Sequence, residues 1–403
     1  MKIYHLPILA LSLLLFTACS TQQIKKDVNQ TESTIPSNII KEVPTTSTTT
    51  PTPPLSTPIV QTTLRENIPS VQEYVPNLQE EYTNLSGNFS GNWKLTNFIE
   101  RMHNEHGFEY TYLYKLFSNA QNSNQVVIPC KTKVDSSGKC VVTIKPRGKW
   151  ERYRDGVIYT ENIERGLAFW KENEAALNRA YQVYGVLPEF IIGILGIETG
   201  YGKYLGKKRV IDILTTKAML GDRREKFYTK QLEKYLVMTR QANLDASILM
   251  GSNAGAMGYG QFIASSYLAF AVDFNGDGVT DLWNAEDAIG SIANYFAKNG
   301  WKRNLREIAI RAKYKGNRFR RLKTGFKTKY SQYKLRKKHG IKARKKLNYR
   351  GPVSLIKLPK YSYDELWFGT HNFRVITTYN LSTFYGMTVY LLGKAVKKKR
   401  YGR

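Results

Sequence analysis

Between Phe190 and Ile197 the chain reads Phe-Ile-Ile-Gly-Ile-Leu-Gly-Ile, and the next residue is Glu198. Pro188 suits the first turn of a helix, where its missing N–H costs nothing. A helix that is apolar on nearly every face has to be buried all round, so this segment runs through the middle of a packed domain. A chain of 403 residues is long enough to enclose it, in two or three domains. The carboxyl at the end of the run is then poorly hydrated. Loss of water disfavours its charged form and lifts its pKa towards neutrality, where a carboxyl can act as general acid and then as base. Gly200 and Gly202, just beyond, allow close approach of backbone or ligand. A single Glu can also cap a helix or pair with an Arg, and this segment alone leaves both readings open.

Other stretches carry helical apolar spacing: residues 93–105, ending at Gly107; Asn162 to Tyr184; about 225–242; and about 285–299. Residues around 125–145 and 352–376 look extended. The expected fold is mainly α (α+β), with small β segments at its edges. The run from Ser252 to Phe262 is rich in small residues and holds Tyr259 and Gln261. It reads either as the floor of a saccharide groove, which needs close backbone, amides and flat aromatic faces, or as tight packing of small side chains.

The N-terminus bears on destination. Met1 and Lys2 precede an apolar run from Leu6 to Phe16, and small residues lead into Cys19. This is a secretory signal, too short to span a bilayer. It resembles a bacterial lipoprotein signal, in which Cys19 is lipidated, with Phe16 standing where Leu is usual. Ser20 after the Cys points to the outer membrane, facing the periplasm. The alternative is a plain signal peptide with an incidental Cys. Residues 20–85 are polar, with a Thr/Ser/Pro-rich centre, and read as a disordered tether. About 65 such residues reach roughly 45 Å.

The formal net charge of +29 calls for an anionic partner. Export removes nucleic acid from consideration and leaves anionic lipid or wall polymer. From Lys302 to Arg350 there are about twenty Lys and Arg against one acid, Glu307. That run reads as a solvated, mobile face or as an electrostatic landing strip for wall polymer. Cys130 and Cys140 flank the turn sequence Asp135-Ser136-Ser137-Gly138 between Val-rich segments. In an oxidising compartment they are expected to form a structural disulfide.

Taken in order, several segments resemble the membrane-bound lytic murein transglycosylase B family of lysozyme-like lytic transglycosylases. They are Arg152-Tyr153-Arg154, Phe169-Trp170, Ala176 to Ala180, Tyr184-Gly185-Val186 and Ile197-Glu198-Thr199. The match continues through Gly255 to Phe262, Ala271 to Phe274, Ala293 to Phe296, Gly325 to Tyr330 and Thr378-Tyr379-Asn380. The resemblance runs from about 93 to 395 and implies a lysozyme-like helical core. It makes Glu198 the catalytic acid/base and places Ser252, Tyr259, Gln261, Tyr295, Tyr379 and Asn380 along the substrate groove. The implied reaction cleaves the bond between N-acetylmuramic acid and N-acetylglucosamine in peptidoglycan and leaves a 1,6-anhydro end, with no catalytic cofactor. A second carboxylate, usual in glycosidases, is absent from the Glu198 segment and from the 252–262 loop. A hydrolytic muramidase of the same fold and a non-catalytic wall-binding lipoprotein are the competing readings.

Asp273-x-Asn275-x-Asp277-Gly278 matches the start of a calcium loop. Asn284 stands where the bidentate Glu is expected. The resemblance supplies Asp287 from a longer loop, with Val279 giving its carbonyl, for a structural Ca2+. The alternative is an Asx-turn loop with Asn284 capping the next helix. The expected layout is a signal at 1–19, a linker at 20–85, a helical part at 86–190, a catalytic core at 191–301, and at 302–403 a basic segment, β part and C-terminal helix that complete the groove. The protein is expected to act as a monomer.

Overall fold

The computed structural model describes residues 84–123 and 147–402. Cys19, the linker up to residue 83, and the expected Cys130–Cys140 disulfide lie outside the described residues. Thirteen α-helices and seven short strands are present among the described residues. In chain order these begin with α1 (Trp93–His106), α2 (Tyr110–Ser118), α3 (Lys149–Asp155), α4 (Thr160–Glu172), α5 (Glu174–Tyr184) and α6 (Pro188–Glu198). Next come β1 (Lys208–Arg209), α7 (Val210–Met219), α8 (Glu225–Gln241), β2 (Met250–Gly251), α9 (Ala264–Phe270) and α10 (Ala285–Lys298). The last part holds β3 (Ala309–Lys313), β4 (Lys329–Tyr330), α11 (Gln332–His339), β5 (Lys342–Ala343), β6 (Val353–Pro359), β7 (Asp364–Gly369), α12 (His371–Tyr379) and α13 (Thr383–Tyr401).

Helix α6 is the axis of the fold. Phe190, Ile191, Ile192, Ile194, Leu195 and Ile197 are all buried, and burying each such side chain stabilises by roughly 1.5–3 kcal/mol. Its main neighbour is α13, and glycines set how closely the two approach. A Cβ on Gly393 would lie 1.9 Å from the Glu189 carbonyl oxygen, and one on Gly193 would lie 2.4 Å from that of Val389. Only hydrogen fits at either place. Lys397 of α13 also pairs with the buried Glu189 of α6 at 2.7 Å.

The predicted helix from 162 to 184 is two helices. Asn173 adopts φ −108°, ψ 28° and its side-chain amide donates to the Phe169 carbonyl at 3.0 Å. A side chain that satisfies a helix-end carbonyl competes with continuation of the helix. The region 352–376 is extended only as far as Gly369, where α12 takes over.

Strands β4-β6-β7-β3-β5 form an antiparallel sheet in that spatial order. With α11 it makes a lobe with its own small core of Ala312, Phe319, Leu335, Ile341, Val353, Leu355, Leu366 and Phe368. The basic run is therefore folded, because sparse apolar residues between the cations meet in one cluster. β7 leads directly into α12, which carries one wall of the site described next.

Candidate active site

Glu198 closes α6, and the chain then turns sharply through Gly200, Tyr201 and Gly202, all left-handed at φ 58°, 63° and 86°. The Thr199 hydroxyl pins this turn. It donates to the Tyr259 carbonyl at 3.0 Å and accepts from Gly202 N at 3.1 Å. The partner segment is a tight hairpin in which Met257 N donates to Phe262 O and Phe262 N to Met257 O, at 2.8 and 3.0 Å. At its tip Gln261 is also left-handed, φ 52°, which costs a non-glycine residue of order 1–3 kcal/mol. Its amide holds the tip by donating to the Gly258 carbonyl at 3.1 Å.

Turn and hairpin border a cleft with a cavity volume of about 130 Å³. Its lining includes Glu198, Arg224, Phe227, Tyr228, Ser252, Gln261, Tyr379 and Asn380. Glu198 is the only acid among the lining residues. Burial pushes its pKa up to about 7, opposed by the Tyr385 hydroxyl, which donates to Oε1 at 2.6 Å. Tyr153, Tyr379 and Tyr385 have their phenol pKa values raised, first by burial and then by the charge of Glu198. All three stay neutral, and the Tyr385 hydroxyl is the side-chain donor to the carboxyl.

Four of the expected groove residues, Ser252, Gln261, Tyr379 and Asn380, meet at this cleft. Ser252 Oγ accepts from Ala256 N at 3.1 Å and shapes the loop. Tyr379 donates to the Gly260 carbonyl at 2.5 Å. Tyr259 and Tyr295, also expected along the groove, are not among the residues lining this cleft. The Tyr259 ring packs on Phe169 at 5.9 Å, and Gly202 leaves it room. Tyr295 packs edge-on against Tyr379 at 4.9 Å and so supports it. Sequence reasoning missed Arg224, stacked over Phe227 at 4.0 Å at the cleft. It also missed Tyr385, 187 residues from its partner Glu198.

The acidic loop lies apart from the cleft lining. Asp273 accepts from Gly276 N and Gly278 N at 2.7 and 2.8 Å, and Asp277 Oδ1 accepts from Val279 N at 2.8 Å. Asp287 is fully buried and accepts from Phe274, Asn275 and Asp281 amides at 2.7, 3.1 and 2.7 Å. Asn284 caps α10 by accepting from Glu286 N at 2.8 Å. Among the described residues no three His, Cys, Asp or Glu side chains are gathered into a ready-made metal cage. The donor types are all hard oxygens of the kind calcium takes. Asp273 also raises the proton affinity of Asp287, after burial, so the two carboxylates lie in each other's field.

A desolvated carboxyl on a central helix, facing a cleft of amides, hydroxyls and aromatics, is suited to acid/base chemistry on a polar substrate. Residues 91–394 match the model of the transglycosylase SLT domain, and the chain belongs to that family. It is 41% identical over 322 residues to the membrane-bound lytic murein transglycosylase B of Escherichia coli K12, covering 78% of this chain and 86% of the relative. The Escherichia coli lytic transglycosylase Slt35 in complex with calcium superposes with a TM-score of 0.70 at 40% identity, over 80% of this chain and 98% of that one. Pseudomonas aeruginosa SltB3 in complex with NAG-NAM-pentapeptide superposes with a TM-score of 0.64 at 26% identity, over 75% of this chain and 79% of that one.

Proposed function

We propose that the chain is a peptidoglycan lytic transglycosylase that cleaves the MurNAc–GlcNAc bond with Glu198 as its single acid and base. The observation that carries this reading is the solitary protonatable carboxyl in a cleft that holds no second acid. Protonated Glu198 donates to the bridging oxygen, and the bond from that oxygen to the muramoyl C1 breaks. The carboxylate left behind takes the proton of the muramoyl 6-hydroxyl as its oxygen attacks C1. A 1,6-anhydro ring forms and no water is consumed. A pKa near 7 equips one group for both transfers. The sugar's own hydroxyl is the nucleophile, which is why the second carboxylate of ordinary glycosidases is unnecessary.

The Tyr385 hydroxyl orients Glu198 and steadies its charged form. Ser252, Gln261, Tyr379 and Asn380 offer hydroxyl and amide contacts to the saccharide, with Tyr259 and Tyr295 holding the wall behind them. A structural calcium at Asp273, Asn275, Asp277, the Val279 carbonyl and Asp287 would brace this side of the fold, where Arg179 of α5 already holds the loop through Phe274 O and Glu286. The signal-like N-terminus and the membrane-bound relative support an outer-membrane lipoprotein anchored at Cys19, acting as a monomer, with Cys130 and Cys140 joined in the periplasm.

Mass spectrometry of digested sacculi tests the reaction. The parent should release anhydro-muropeptides, and Glu198→Gln should lose at least about a hundredfold of that release while still binding sacculi. Reducing ends from the parent would make it a hydrolase. Equal anhydro release by both would remove Glu198 from its role.

A further inference from the structure

The most cationic part of the molecule is the lobe beside the cleft. Lys302 to Arg350 contains 21 Lys and Arg and one acid. An ordinary basic surface is interleaved with acids that quench it, and this one is not. The carboxylate of Glu307 is spent on the backbone amides of Asn348 and Tyr349, at 2.8 and 3.2 Å. Among the described residues, Arg311 is the one cation of this run that forms an ion pair, with Glu365 at 2.7 Å.

The charges are also held in place. α11 is fastened by the fully buried Leu335, and it holds Lys334, Arg336, Lys337 and Lys338 exposed around that anchor. Cations without counter-charges, carried on a folded frame, attract a polyanion over several ångströms of water. The lobe is joined to the site by α12, which follows β7 and ends at Tyr379 in the cleft lining.

The lobe offers little to a bilayer. Surfaces that insert into lipid bury apolar side chains in it, whereas Phe319, Leu335 and Ile341 all face inward, so charge alone would hold this lobe to a membrane. Tyr333, 65% exposed, is the one exposed large hydrophobic described in this run. A hydrated polymer that carries carboxylates fits better. The peptide stems of peptidoglycan carry such carboxylates.

We propose that this lobe is an exosite that captures peptidoglycan through the carboxylates of its peptide stems while the neighbouring cleft works on the glycan. The proposal rests on the transglycosylase reading and deepens it. The exosite contributes to encounter and retention and takes no part in bond cleavage, so it acts on large, stem-bearing substrate alone.

The test uses the full chain with Lys334, Arg336, Lys337 and Lys338 all changed to Glu, and the corresponding four-Gln variant should the Glu set fail to fold. Binding is measured by co-sedimentation with native sacculi, with sacculi whose stem carboxyls have been amidated, and with phosphatidylglycerol vesicles. On native sacculi at low ionic strength the Glu variant should bind roughly tenfold more weakly than the parent. The gap should close near 1 M salt, where the screening length falls to about 3 Å. Amidation should weaken the parent to the level of the variant, and cleavage of peptide-free glycan strands should be equal for both. Equal binding of parent and variant to native sacculi overturns the exosite. So does a loss confined to the vesicles, which would make the lobe a lipid-facing surface. A parent that binds sacculi but never cleaves them refutes the transglycosylase reading and with it the exosite, leaving the lobe a wall-binding surface only.

Discussion

The α6–α13 crossing and the basic lobe handle charge in opposite ways. At the crossing, one carboxyl is stripped of water until it keeps its proton near neutral pH. In the lobe, about twenty cations stay in water and keep their charge. Burial converts a side chain into a proton store, and exposure on a rigid frame converts a run of side chains into a field. The first depends on packing to within one methyl group, and the second tolerates any packing that keeps the frame folded.

The sharpest way to break this contrast is to spoil the crossing. Gly393→Val pushes a side chain into the Glu189 carbonyl, and overpacking of this kind costs about 3 kcal/mol or more. Urea unfolding should show a large fall in midpoint together with loss of activity.

The next test concerns Glu198 itself. Its folded pKa, about 7, lies above the ordinary carboxyl value of 4.5, so the fold prefers the neutral form. That contribution is fully present below the unfolded value and is lost as pH rises through the folded one. Glu198→Gln should therefore unfold much like the parent at pH 4. At pH 8 it should be more stable by about 2–3 kcal/mol, read by denaturant titration at both pH values. Equal stability at pH 8 would show that the carboxyl is better hydrated than the structure has it.

A subtler change is Tyr385→Phe, which removes the hydroxyl that lowers the pKa of Glu198. The acid form should persist to higher pH, and the alkaline limb of the pH–rate profile should move up by about one unit. At the small end, single Ala substitutions at Lys334, Arg336, Lys337 or Lys338 should leave thermal stability within about 0.5 kcal/mol. A larger loss would mean that these cations serve the lobe's own packing.

Much of this was readable from residue order. The spacing of Phe98, Ile99 and Met102 marked α1, although Trp93, which shares that spacing, lies exposed, and the unbroken apolar run marked α6 as central. Ser252, Gln261, Tyr379 and Asn380 were recognisable as groove residues by resemblance, and the structure brings them to one cleft. What stayed hidden was long-range contact. Tyr385 is one aromatic among many in the sequence, and only the docking of α13 on α6 gives it Glu198 as a neighbour. The break at Asn173 was missed because a side-chain amide outcompetes the helix there. The basic run looked solvated because its few apolar residues lie far apart in sequence, although Phe319, Leu335 and Ile341 converge in one core.

Because Tyr385 reaches Glu198 from α13, 187 residues downstream, the cleft is complete only when the C-terminal helix is in place. A chain cut back to Asn380 would keep Glu198 and the 252–262 hairpin, yet lack the helix that packs on α6. Glu198 would then lose both its cover and the Tyr385 hydroxyl. The final helix thus couples completion of the fold to the proton held by one carboxyl.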